Sequence, residues 1–167
     1  MWDAIEGLIK EMKTCEGAGA NVSALTMAYI CIDLMAALAL PDGREVQGRS
    51  DYIAWVDTYL HGHEEQPYKY RGIDVYGARC AVLHSYGAEA DFHNRNPEAK
   101  IFGYHDGGKH GYDPKVNDRL VIIGIPSFVN DVVHAIGDFI ESCKHDEGLR
   151  KRVEARLPKV LARLPLK

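Results

Sequence analysis

The sequence predicts a mainly α protein, a bundle of five or six helices with one small β-hairpin inserted near residues 100–125. Three observations carry that expectation. Apolar residues recur at three- and four-residue spacing along most of the chain, the period of a helix with one buried face. Gly17-Ala18-Gly19, Pro41-Asp42-Gly43 and Pro126 punctuate the pattern where helices stop or start. Strand-like runs rich in β-branched and aromatic residues are confined to Lys100–Tyr104 and Arg119–Ile125. With 167 residues, 46% of them hydrophobic and 26% charged, the chain suits one domain over 1–167 with a genuine core.

The first helix is marked by Trp2, Ile5, Leu8, Ile9 and Met12 and ends at Gly17-Ala18-Gly19. Asn21 or Ser23 caps the second, which runs to Leu40 and is apolar nearly all round, so it is expected at the centre of the bundle. Asp33 is the oddity on that helix, because a carboxylate taken out of water needs a partner. Ser50 or Asp51 caps a third helix carrying Tyr52, Ile53, Trp55, Val56, Tyr59 and Leu60. After the polar stretch His61–Arg71, a fourth helix runs from about Asp74, read as its cap, to Tyr86. Residues 88–126 are read as an insertion holding the hairpin, with Asp106-Gly107-Gly108 in its loop. Pro126-Ser127 opens a fifth helix, and 146–167 form a basic C-terminal helix kinked or broken at Pro158.

Charge and cysteines bound the function classes. The net charge of −4 splits into −9 over residues 1–141 and +5 over 142–167. A basic tail is an electrostatic footprint for nucleic acid, though a helix showing water a positive face gives the same count. Cys15, Cys31, Cys80 and Cys143 are too widely spaced for a disulfide framework or a zinc signature. The apolar run Ala24–Leu40 is interrupted by Thr26, Cys31 and Asp33 and reads as a core helix rather than a membrane span. Met1–Glu6 lacks the basic start of a signal peptide. The expectation is a reduced, cytoplasmic protein with no membrane partner.

One stretch carries chemistry: Arg79-Cys-Ala-Val-Leu-His84, on the second half of the fourth helix. Arginine stays charged and matches phosphate oxygens; histidine titrates near neutrality. Five positions along a helix place the two α-carbons about 140° apart around its axis. They meet if the long arginine reaches around to a histidine on the last turn. Alternatively, two copies of the helix face each other across a dimer axis. Such a pair suits cleavage of an RNA phosphodiester by its own 2′-hydroxyl. Histidine moves the proton, arginine stabilises the charge building on phosphorus, and neither cofactor nor metal is required.

Residues 73–84, Ile-Asp-Val-Tyr-Gly-Ala-Arg-Cys-Ala-Val-Leu-His, resemble the signature helix of the HEPN superfamily. Members are helical bundles with an arginine, four to six intervening residues and a histidine. Many are similar to metal-independent endoribonucleases that act as dimers in toxin or antiviral systems. The resemblance implies Arg79 as the phosphate-binding residue and His84 as the general acid–base, with products ending in a 2′,3′-cyclic phosphate. It also implies Asp33, Cys80 and Tyr86 as substrate-contacting neighbours, RNA as substrate, a homodimer, and an antitoxin or defence-system partner. The chain departs from the pattern at Cys80, where many active members carry a polar Asn, Asp or His. The alternatives are a non-catalytic HEPN-like module binding RNA or protein, and an unrelated helical protein.

Other groupings are weaker. His61-Gly62-His63-Glu64-Glu65 offers two histidines without a third ligand and reads as a solvated loop. Asp91, His93, His105, Asp106 and His110 share the insertion and either hold a metal or line a groove beside His84. Tyr68, Tyr70, Tyr86, Tyr104 and Tyr112 offer faces for stacked bases, or lids over the core edge.

Overall fold

The computed structural model describes residues 2–85 and 87–159. Its helices in chain order are α1 (Asp3–Gly17), α2 (Asn21–Leu38), α3 (Arg49–Tyr59), α4 (Gly72–Ser85), α5 (Asp91–Arg95), α6 (Pro114–Asn117), α7 (Ile125–His145) and α8 (Glu147–Arg156). The strands are β1 (Ile101–His105) and β2 (Leu120–Gly124), and a 3₁₀ turn at Leu157–Lys159 follows α8. Six helices are long and two, α5 and α6, are single turns. The break after Arg156 falls just before Pro158, whose ring cannot continue the α-helical ladder.

The apolar pattern dictates the layering. Helix α2 buries Ala24, Leu25, Ala28, Tyr29, Cys31, Ile32, Met35, Ala36 and Leu38, and packs against α1, α3, α4, α7 and α8. It is the one described helix long and apolar enough to cross a membrane, and half of it is buried inside this fold. Helix α7 is amphipathic and turns Phe128, Val129, Val132, Ala135, Ile136 and Phe139 onto the same core. All four cysteines are free thiols. The C-terminus of α2 is closed from outside: the Arg156 guanidinium donates to the carbonyls of Leu38, Leu40, Pro41 and Arg44. A cation at that end satisfies carbonyls that α2 cannot and complements its dipole.

The expected hairpin is instead a parallel pair. Ile101 lies opposite Leu120 and His105 opposite Gly124, while Gly111 bridges the outer edge of Ile122 in antiparallel sense. Parallel pairing needs a crossover of a dozen or more residues, and the long connection 106–119 supplies one. The Asp106-Gly107-Gly108 turn therefore leads away from β1 rather than folding β2 back on it. His105 fixes that turn: Nδ1 accepts from the Gly107 N–H at 3.0 Å and Nε2 donates to the Lys109 carbonyl at 2.7 Å. Gly124 makes the joint between β2 and α7, where a Cβ would lie 2.3 Å from the Gly107 carbonyl oxygen.

Two expected caps are used elsewhere. Asn21 is the first residue of α2, after Ala20, and its side chain donates to Asp106 at 2.7 Å. Asp74 lies in the first turn of α4 and is fully buried, accepting from Tyr68 Oη, Arg71 Nε and Nη2, and the Lys100 N–H, at 2.7–2.8 Å. It ties α4 to the chain entering β1. Helix α3 starts earlier than expected, with Gly48 at the cap in place of Ser50 or Asp51, and Asp51 accepting from the Gly48 N–H at 2.8 Å.

Candidate functional site

Tyr76, Cys80 and His84 succeed one another at four-residue intervals on one stripe of α4. All three line a cleft of about 820 Å³ whose other wall is Arg49 and the segment 89–96. That wall sits close because Gly77 has no side chain: a Cβ there would lie 2.8 Å from His93 Nε2 and 3.0 Å from Phe92 Cδ1. Phe92 meets the Tyr76 ring edge-on at 5.1 Å between centroids. A smaller cavity of about 150 Å³ adjoins it, lined by Asp33, Gln47, Gly48, Arg49, Tyr76 and Arg79.

Arg79 joins the stripe by reaching around the helix, the first of the two geometries its spacing allows. Its Nη1 lies 3.1 Å from His84 Nε2, and its Nε donates to Asp33 Oδ2 at 2.8 Å. The pair therefore meets within one chain. A guanidinium only donates, so His84 Nε2 is the acceptor and a neutral His84 carries its proton on Nδ1. His84 is exposed, while Arg79 and Asp33 retain 22% and 25% of their side-chain exposure. Burial pushes the Asp33 carboxyl above the usual carboxylate range, against the pull of Arg79 and the Gln47 amide. Burial also draws Arg79 down, but the hydrogen bond and charge of Asp33 outweigh it, so the guanidinium stays firmly protonated. Asp33 thus has the partner its position on α2 demands.

Cys80 stands on the cleft wall between Tyr76 and His84. Burial and the Cys80 thiol together hold the Tyr76 hydroxyl above its ordinary range. Tyr86 lies outside the described residues. Arg49, Phe92 and Gln47 complete the site and are not evident from the sequence. The available signal was Arg49 itself, a cation at the positive end of a helix, where it is unfavourable by about 0.3–1 kcal/mol.

His61, His63 and His134 line a separate cavity with Asp131, and none of His93, His105 and His110 lines the cleft with His84. His93 is buried, accepting from the Ala90 N–H at 3.1 Å and donating to the Lys100 carbonyl at 3.2 Å. His110 belongs to a buried chain: the Gly124 N–H donates to its Nδ1 at 3.0 Å, its Nε2 donates to Tyr70 Oη at 2.7 Å, and Tyr70 donates to Asp131 at 2.9 Å. Burial, then the nearby His105, lowers His110 to about 4. Among the described residues no cluster of three or more His, Cys, Asp or Glu is placed to hold a metal ion. The described tyrosines of that group, Tyr68, Tyr70, Tyr104 and Tyr112, each hold a side-chain hydrogen bond within the fold. Tyr68 bonds Asp74, Tyr104 bonds Tyr29, and Tyr112 bonds Asp118 beneath the Lys100 ammonium.

Compared with protein-family models, curated proteins and solved structures, the chain matches none.

Proposed function

We propose that the protein is an HEPN-like, metal-independent endoribonuclease acting through Arg79 and His84. The observation that supports this most directly is the 3.1 Å contact between Arg79 Nη1 and His84 Nε2 at the edge of an open cleft. A phosphodiester entering the cleft competes for Nη1. As the guanidinium turns to a phosphoryl oxygen, the Nε2 lone pair is released to accept the proton of the 2′-hydroxyl. The P–O2′ bond forms as the P–O5′ bond breaks, and the proton passes from His84 to the leaving 5′-oxygen. The products are a 2′,3′-cyclic phosphate and a 5′-hydroxyl, with no water consumed. Asp33 holds Arg79 so that little rearrangement is needed as charge builds on phosphorus. The family resemblance adds a homodimer, with the second copy extending the RNA path rather than completing the pair.

A second reading is favoured by the Asp33–Arg79 ion pair and by Cys80, which offers weaker hydrogen bonds than Asn, Asp or His. In that reading the cleft binds RNA or a protein partner without cutting. Incubation with a mixed RNA pool in EDTA separates the two. Cleavage that is lost in His84→Ala and in Arg79→Ala supports the nuclease. No cleavage by the natural protein, or cleavage unchanged in both variants, refutes it.

A further inference from the structure

Two arginines, Arg49 and Arg95, line the cleft and a third, Arg79, lines the smaller cavity beside it, and their charges are not equally available. Arg79 is paired with Asp33 at 2.8 Å. Arg95 faces Asp91 at 3.6 Å, and both side chains are largely in water. Arg49 has no carboxylate within ion-pair distance among the described residues, and its guanidinium lies 5.7 Å from the centre of the Phe92 ring. Both acids on its own helix are already taken: Asp51 accepts from Arg44 Nη1 at 3.0 Å, from Arg44 Nη2 at 2.7 Å and from the Gly48 N–H, and Asp57 accepts from the Gly72 N–H at 2.6 Å.

The placement carries a cost that its one aromatic contact offsets only in part. Arg49 opens α3, so it stands against the positive end of that helix dipole. Its cation–π contact with Phe92 at an exposed site returns about 0.5–1 kcal/mol, enough to orient the side chain but not to neutralise it. A residue that breaks a local rule without an internal partner marks a place where an external one is expected. Arg49 also lines both cavities, the large one with His84 and the small one with Arg79 and Asp33. Arg49 therefore borders the cavity of each member of the pair.

We infer that Arg49 is the residue that captures a phosphodiester oxygen in this cleft, leaving Arg79, already neutralised by Asp33, to orient His84 and meet charge that develops later. The inference takes its anion from the ribonuclease reading, but binding tests it separately from cutting. The probe is a fluorescent single-stranded 2′-O-methyl RNA, whose blocked 2′-oxygen cannot attack phosphorus, and its affinity is followed by anisotropy from low to moderate salt. Arg49→Gln is expected to weaken binding about tenfold and to reduce the slope of log affinity against log salt by about 1, the signature of one lost phosphate contact. Arg49→Lys, which keeps the charge, restores the slope. Lys13→Gln, which removes a cation paired with Glu16 outside both cavities, leaves the slope unchanged. Circular dichroism confirms that each variant is folded.

The inference is overturned if the natural protein does not bind the probe. It is also overturned if Arg49→Gln binds with unaltered affinity and slope, or if Lys13→Gln lowers the slope as much as Arg49→Gln does. If binding depends on Arg49 while no RNA is cut, the nuclease reading falls and Arg49 stands. If RNA is cut while binding ignores Arg49, the reverse holds.

Discussion

Acid should destabilise this protein through one histidine. His110 is 2% exposed and lies between the Gly124 N–H and the Tyr70 hydroxyl, so folding selects its neutral form. Its pKa falls from 6.5 to about 4 because burial removes water from the imidazolium and His105 adds a like charge. A folded pKa below the unfolded one means the neutral form's advantage is complete above pH 6.5 and is lost as the pH falls toward 4. The loss between pH 7 and pH 5 works out at about 2 kcal/mol, a large part of a small domain's stability. Asp131, at the far end of the chain, acts in the opposite direction. Burial raises its carboxyl, against its bond from Tyr70 and the nearby His134, His63 and Lys69, so its ionised form costs stability that acid relieves. The two are separated by His110→Asn, which retains an acceptor for the Gly124 N–H and removes the titration. Urea unfolding at pH 7, 6 and 5 should show the natural protein losing about 2 kcal/mol more than the variant. Equal losses in both, or an NMR titration of His110 centred near 6.5, would refute the assignment.

Asp74→Ala strands buried donors from Tyr68, Arg71 and Lys100, and is expected to cost about 3 kcal/mol or more by thermal unfolding, with Asp74→Asn costing less. A cost below about 1 kcal/mol would mean that water replaces the carboxylate. Gly77→Ala drives a Cβ into His93 and Phe92; it should destabilise by about 1–3 kcal/mol and speed hydrogen exchange across residues 90–96, where unchanged exchange would show that the wall yields freely. Tyr52 Oη is buried and has no hydrogen-bond partner among the described residues, so Tyr52→Phe should be neutral or stabilising by up to about 1 kcal/mol in urea. A clear loss of stability would reveal a partner for that hydroxyl.

The long helices were legible because their evidence is local. Periodic apolar residues and the breaks at Gly17–Gly19, Pro41 and Pro126 lie within the helices they define or just beside them. The direction of the strand pair was not, since Asp106-Gly107-Gly108 looks the same whether the chain reverses or begins a crossover. Caps were misread where a distant donor or acceptor outbid the local backbone, as Lys100 and Tyr68 do at Asp74 and Asp106 does at Asn21. At the site, the meeting of Arg79 with His84 was among the arrangements their spacing permits, and Asp33 on α2 was marked as needing a partner. Arg49 and Phe92 stand 43 positions apart, and only the fit of α5 against Gly77 brings them to one cleft.

The guanidinium of Arg79 joins two parts of the molecule that open at very different rates. Asp33 is carried by α2, packed on most of the other long helices, so its position should persist until the whole domain unfolds, over seconds or longer. His84 is carried by the last turn of α4, and helix ends exchange their hydrogen bonds on about the nanosecond-to-microsecond scale. Arg79 thus has a slow partner and a fast one. The histidine is therefore the member expected to come and go, exchanging between its paired and released states far faster than α2 opens.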